Sequence, residues 1–162
     1  MKTTRVRFIT QAAMIAAIYV VLTIFISAFN LASGAIQIRI SEALTILPAF
    51  TPTAIPGLFL GCLISNLITG AMLPDIIFGS LATLLGAIGS YLLRKWKWAV
   101  PVPPILSNTL IIPFVLAYAY QIPGGVPYFM LTVGIGEILS CGVLGMILYG
   151  TLAKYRTVLF KS

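Results

Sequence analysis

The sequence predicts an all-α integral membrane protein: a six-transmembrane-helix bundle with a short second helix and both termini cytoplasmic. Three observations carry this. Of 162 residues, 60% are hydrophobic and 8% charged, whereas a water-soluble domain carries roughly 25% charged residues. The apolar residues fall in runs near spanning length, and at about 20 residues per crossing the chain holds roughly five to seven spans. Nine of the ten basic residues lie at the ends of those runs. A mean hydropathy of +1.09 excludes intrinsic disorder, and no glycine period supports a collagenous repeat. No length is left over for a soluble catalytic domain, so residues 1–162 read as one transmembrane domain.

The first run, residues 8–29, follows Lys2, Arg5 and Arg7. It is too long for a signal-peptide core and lacks a small-residue cleavage site, so it reads as a retained helix. Residues 30–41 form a polar-interrupted stretch containing Gly34, Gln37 and Arg39. Glu42 opens a short apolar segment, 42–50, broken by Thr51-Pro52-Thr53. A third helix covers 54–69, and a turn follows at 70–73. Pro74 suits the first turn of a fourth helix, where its missing N–H is not needed. That helix ends at Arg94-Lys95-Trp96-Lys97. A fifth enters through Pro101, Pro103 and Pro104 and reaches about Gln121. Pro123-Gly124-Gly125 turns into a sixth, ending near Ala153.

Parity decides the short second segment. If it crosses, Lys2, Arg5, Arg7, Arg94, Lys95, Lys97, Lys154, Arg156 and Lys161 share one side, against Arg39 alone on the other. The positive-inside rule favours that partition. At its length the segment must be tilted, partly re-entrant or extended by irregular backbone.

The three acids carry the functional signal. In this topology Glu42 and Asp75 start helices at the outer end, and Glu137 lies roughly 15 Å into the sixth at about 1.5 Å per residue. Gln37, Asn66, Tyr118, Gln121 and Tyr128 fall in the same outer half. Ionisable groups in hydrocarbon face a protein interior or a wet cavity, so the grouping predicts a cup open to the outside. The candidate substrate-binding residues are Arg39, Glu42, Asn66, Asp75, Asn108, Tyr118 and Glu137. Plainer roles stand beside them: Asp75 and Glu42 also suit first-turn dipole positions, and Asn66 and Asn108 also suit interhelical hydrogen bonds. Glu137 has no helix terminus to explain it.

One cation against three carboxylates gives the cup a formal charge of −2. It favours a solute carrying an amine or many hydrogen-bond donors, such as the N1–H and 2-amino edge of a guanine-like base. Phe29, Phe78, Phe114 and Tyr118 are candidates for a stacking face. Ala12, Ala13, Ala16 and Ala17 repeat small-x-x-x-small spacing, suited either to internal packing or to docking a partner subunit. Gly57 and Gly61 share that spacing and suit internal packing. Cys62 and Cys141 read as packing residues. With no His, no phosphate-binding loop and no metal-ligand spacing, the sequence predicts no catalytic residues, no cofactor and no metal. Transport would need a partner or an ion gradient.

The residues Arg39-Ile-Ser-Glu-Ala-Leu-Thr, Pro48-Ala-Phe-Thr-Pro, the run from Ala54 to Asn66 and Asp75-Ile-Ile-Phe-Gly-Ser-Leu-Ala-Thr resemble the QueT family, the substrate-binding S components of energy-coupling factor (ECF) transporters for queuosine precursors. The resemblance covers nearly the whole chain and is strongest over 39–93; Gly134-Ile-Gly-Glu137 also fits. It implies the six-helix S-component fold, with a long first loop over an outward-facing pocket. It also implies a transmembrane coupling subunit and two cytoplasmic ATPase subunits as partners, a lipid membrane and no nucleic acid. The alanines of the first helix resemble the face by which S components dock. Queuine and its aminomethyl precursor are 7-deazaguanines with a donor edge and a protonatable amine, and they suit this cup. The alternatives are an S component for another vitamin-like solute, a stand-alone proton-coupled carrier using Glu137, and a scaffold without ligand.

Overall fold

The computed structural model describes residues 2–28, 39–121 and 123–155, and every regular element among them is helical. Phe29, Gln37, Arg156, Lys161 and most of the first loop lie outside the described residues. Helix α1 (Lys2–Ala28) leads to a 3-10 helix (Ile40–Ala49), followed by α2 (Ala54–Ile68), α3 (Leu73–Leu92) and α4 (Val102–Tyr118). Helix α5 (Val126–Glu137) continues through a π-helical segment (Ile138–Leu144) into α6 (Gly145–Lys154). Three stretches are long and apolar enough to cross a membrane: Arg5–Ala28, Leu73–Leu92 and Val126–Lys154. Shorter apolar helices accompany them, and large apolar side chains such as Ile9, Val21, Leu85 and Leu131 face outward. An apolar exterior on an all-helical bundle is the pattern of a multi-pass membrane protein.

Helices α1 to α5 pack in sequence order, each on the next, and the 3-10 helix lies among α1, α2, α3, α6 and the π segment. Every residue from Ser41 to Ala49 is buried. The sequence allows 42–50 to be tilted, partly re-entrant or extended by irregular backbone; the observed helix begins two residues earlier and is drawn out. At about 2.0 Å per residue, ten residues in 3-10 form reach roughly 20 Å, against about 15 Å as an α-helix. The poorer hydrogen bonds of a 3-10 run are tolerable here because the segment is enclosed in protein. Pro48 sits inside it and Thr51-Pro52-Thr53 ends it, with the Thr51 and Thr53 hydroxyls 2.8 Å apart.

Small residues set the helix spacing. A Cβ on Gly57 would meet the Ala12 carbonyl oxygen at 2.8 Å, and one on Gly61 would meet Tyr19 Cβ at 2.8 Å. Helices α1 and α2 therefore touch through Ala12 and Ala16, both buried, against those two glycines. This corrects the docking assignment for half of the alanines: Ala12 and Ala16 are internal, while Ala13 and Ala17, about 100° round the helix, are exposed. The sixth predicted helix is a continuous rod, but its centre is π-helical, so residues beyond Glu137 are rotated from where an unbroken α-helix would place them.

Ala16→Leu should therefore damage the fold rather than a partner contact. Overpacking a tight interface costs about 1–3 kcal/mol. Thermal unfolding in detergent should show a lower Tm for Ala16→Leu and an unchanged one for Ala13→Leu.

Candidate ligand-binding cavity

A cavity of about 310 Å³ opens at one end of the bundle. Its walls come from the C-terminal end of α1, the approach to the 3-10 helix, the α2–α3 turn, the start of α3 and the end of α4. Polar groups cluster on them: Thr23, Ser27, Arg39, Asn66, Asp75 and Tyr120. Since α3 runs away from this end and α4 returns to it, the Arg94–Lys97 turn lies at the opposite end of the bundle.

Asp75, 6% exposed, occupies the first turn of α3. Its Oδ2 accepts a hydrogen bond from the Tyr120 hydroxyl at 3.0 Å, and the same phenol oxygen accepts from the Met72 backbone N–H at 3.1 Å. Asp75 Oδ1 is buried without a donor. Asn66 Nδ2 donates to the Asp75 carbonyl oxygen at 3.4 Å. Burial pushes the Tyr120 phenol above its ordinary pKa, and the neighbouring Asp75 charge adds to that; it remains a donor at neutral pH. Arg39 stands on another wall and is drawn electrostatically to Asp75 and, less strongly, to Glu42.

The other two acids lie deeper. Glu137, 7% exposed, reaches a side niche of about 10 Å³ that it shares with Arg39, Ile112 and Val133. Glu42, 1% exposed, lines neither space. Its Oε1 accepts from the Tyr19 hydroxyl, and its Oε2 has no donor. Its backbone oxygen accepts from the Thr45 hydroxyl at 2.6 Å and the Cys141 thiol at 3.4 Å. Cys141 Sγ also lies 3.1 Å from Glu137 Oε2. Asn108, buried, neighbours both glutamates. Ligand-type atoms of Glu42, Glu137 and Cys141 thus converge within 4.8 Å, an arrangement hidden from sequence spacing because 99 residues separate Glu42 from Cys141. The π segment brings Cys141 into this group and ties the 3-10 helix to the α5–α6 rod.

Of the sequence-predicted residues, the cavity gathers Arg39, Asn66 and Asp75; Glu137 adjoins it, while Glu42 and Asn108 lie behind. Tyr118 is not brought there. It is 74% exposed, stacked at 6.4 Å on Phe114 in an outer apolar groove of about 500 Å³ that also contains Phe78. Those aromatics form an outward face instead of a stacking wall in the cavity. Tyr120, two residues on and past the end of α4, is the phenol that lines the cavity. Tyr118 keeps the outward phase of Phe114 at i, i+4 spacing, whereas the chain has left the helix before Tyr120.

The fold and cavity define a class: a multi-pass membrane bundle with a polar, ligand-sized recess at one end. More particularly, the chain belongs to the QueT transporter family, whose family model matches residues 9–154. The queuosine precursor transporter QueT of Lactococcus lactis subsp. cremoris (strain MG1363) is 34% identical over 98 residues, 60% of this chain and 57% of that protein. The match therefore spans a little over half the length of that relative. No solved structure matches the chain at a significant level.

Tyr19 is the donor that offsets burial of the Glu42 carboxylate. Tyr19→Phe should destabilise the fold by about 1–3 kcal/mol, the usual cost of an orphaned buried acceptor, visible as a lower Tm in detergent.

Proposed function

We propose that this chain is the substrate-capturing membrane subunit of an ECF-type importer for a queuosine precursor, queuine or a related 7-deazaguanine. The observation that carries the reading is the polar cavity confined to one end of an otherwise apolar bundle, in a chain of the QueT transporter family. A recess at one end of the bundle suits capture from one aqueous phase. Its lining combines a carboxylate, an amide, hydroxyls and one guanidinium, matched to a small heterocycle rich in donors.

The chain is read as one domain in the cell membrane, crossing six times with both termini cytoplasmic. The charge partition supports this orientation: Arg94, Lys95 and Lys97 lie at the end away from the cavity. The drawn-out 3-10 helix supplies the second crossing. As a member of a transporter family the chain is read as a transport subunit, and ATP hydrolysis falls to two cytoplasmic ATPases acting through a transmembrane coupling subunit. The exposed pair Ala13 and Ala17 remains the candidate docking face, while Arg39, Asn66 and Asp75 are the candidate ligand contacts. Glu137 and Asn108 support them from behind, and Glu42 anchors the 3-10 helix.

Titration of queuine into the purified chain should give saturable binding without any partner. A folded protein that shows none overturns the reading. Uptake by vesicles containing this chain alone, abolished by an uncoupler, would instead establish a proton-coupled carrier. For the docking face, Ala13→Leu with Ala17→Leu should leave queuine affinity within about threefold of wild type. The same pair should abolish uptake by the assembled importer. Normal uptake would dismiss the face.

A further inference from the structure

Building on the proposed capture of a 7-deazaguanine, we infer that Asp75, oriented by Tyr120, reads the ligand's protonated amine, and that Glu42 and Glu137 do not touch the ligand. The three acids differ in access. Glu42 lines neither the cavity nor the Glu137 niche, and its carboxylate is engaged by Tyr19 inside the protein. Glu137 opens only on a niche of about 10 Å³, room for about one water molecule and not for a heterocycle. Asp75 alone of the three stands on the wall of the 310 Å³ cavity.

Its two oxygens are unequal. Oδ2 is held by the Tyr120 phenol, whose own oxygen is fixed by the Met72 N–H, so the phenol proton is directed at the carboxylate. Oδ1 has no donor. It lies over Gly79, where a Cβ would stand 3.1 Å from Oδ1 and 3.2 Å from Asn66 Nδ2; the missing side chain gives the carboxylate room to turn. Gripping a guanine edge takes two parallel acceptor oxygens, and Asp75 has one to give. An ammonium is a compact point charge that one carboxylate oxygen can pair, leaving its other N–H donors to neighbouring hydroxyls. The neutral heterocycle then falls to the hydroxyls of Thr23, Ser27 and Ser41 and to Arg39, whose donors suit a ring carbonyl.

The experiment is equilibrium binding by the purified full chain with three probes: queuine, 7-aminomethyl-7-deazaguanine and 7-cyano-7-deazaguanine. The first two carry a protonated amine, and the third is neutral. Asp75→Asn should weaken both amines by about ten- to a hundredfold, the usual effect of losing a charge-assisted hydrogen bond, and leave the cyano compound within about threefold. Tyr120→Phe keeps the ring and the Asp75 charge; as a positioning change it should cost the amines about three- to tenfold, spare the cyano compound and add nothing in the Asp75→Asn background. If Asp75→Asn does not fold, the selectivity of Tyr120→Phe decides. Equal losses for all three probes, or no loss for the amines, would overturn the assignment while the capture function stands. A folded wild-type protein that binds none of them overturns both.

Discussion

A ten-residue 3-10 helix enclosed by the rest of the bundle is the constraint on which the structure depends. Inside hydrocarbon a backbone has no water to complete its hydrogen bonds, so an irregular segment survives only where protein surrounds it. The neighbours enclose the segment and hold it from two sides. From α1, Tyr19 donates to the Glu42 carboxylate and Thr23 to the Ser41 hydroxyl at 2.9 Å. From the π segment, Cys141 donates to the Glu42 backbone oxygen. The close α1–α2 contact through Ala12, Ala16, Gly57 and Gly61 keeps α1 near enough to serve, and Gly145 lets the α5–α6 rod pass 3.1 Å from Ile46 Cγ2, measured from where its Cβ would be. The small-residue contacts and the polar contacts therefore support one another.

That arrangement also fixes where polarity is allowed. Below the cavity the bundle closes through side-chain-poor contacts, among them Gly86, whose Cβ would fall 2.7 Å from Pro104 Cα. Above, the chain leaves the 3-10 helix at Arg39, which faces both the cavity and the Glu137 niche. A ligand seated there would meet the end of the central helix directly. Capture would thus act on the buried element around which the bundle packs.

The rods were legible in the sequence because their signals are local: apolar runs bounded by prolines at 74, 101 and 123 and by basic clusters. Arg39, Asn66 and Asp75 were legible as polar residues in the outer half of an apolar chain. What the sequence did not disclose were matters of phase. An apolar run such as 42–50 reads alike in α and 3-10 form, and only its enclosure favours the longer rise. The π segment likewise answers to a tertiary demand, bringing Cys141 to Glu42 across 99 residues. Ala12/Ala16 and Ala13/Ala17 have identical spacing; Gly57 and Gly61 on the next helix were the clue to the inner pair, but complementarity between two stripes appears only when the helices are apposed. Tyr118 and Tyr120 differ by the end of a helix, where phase is least predictable.

The different fates of the three carboxylates follow from depth. At the centre of the bundle, where Glu42 lies, a carboxylate must be engaged by protein donors, because desolvation outweighs what a passing ligand could return. Its contribution is therefore structural. Glu137 is intermediate, sharing a water-sized space with a guanidinium. Asp75 sits in the first turn of α3, where the helix dipole favours negative charge, at the rim of a recess able to admit solvent. There an acid held by one oxygen has a ligand-sized space beside it. The bundle thus sorts its acids by the space each one faces, so that the one on the wall of the ligand-sized cavity is the one placed to exchange a partner.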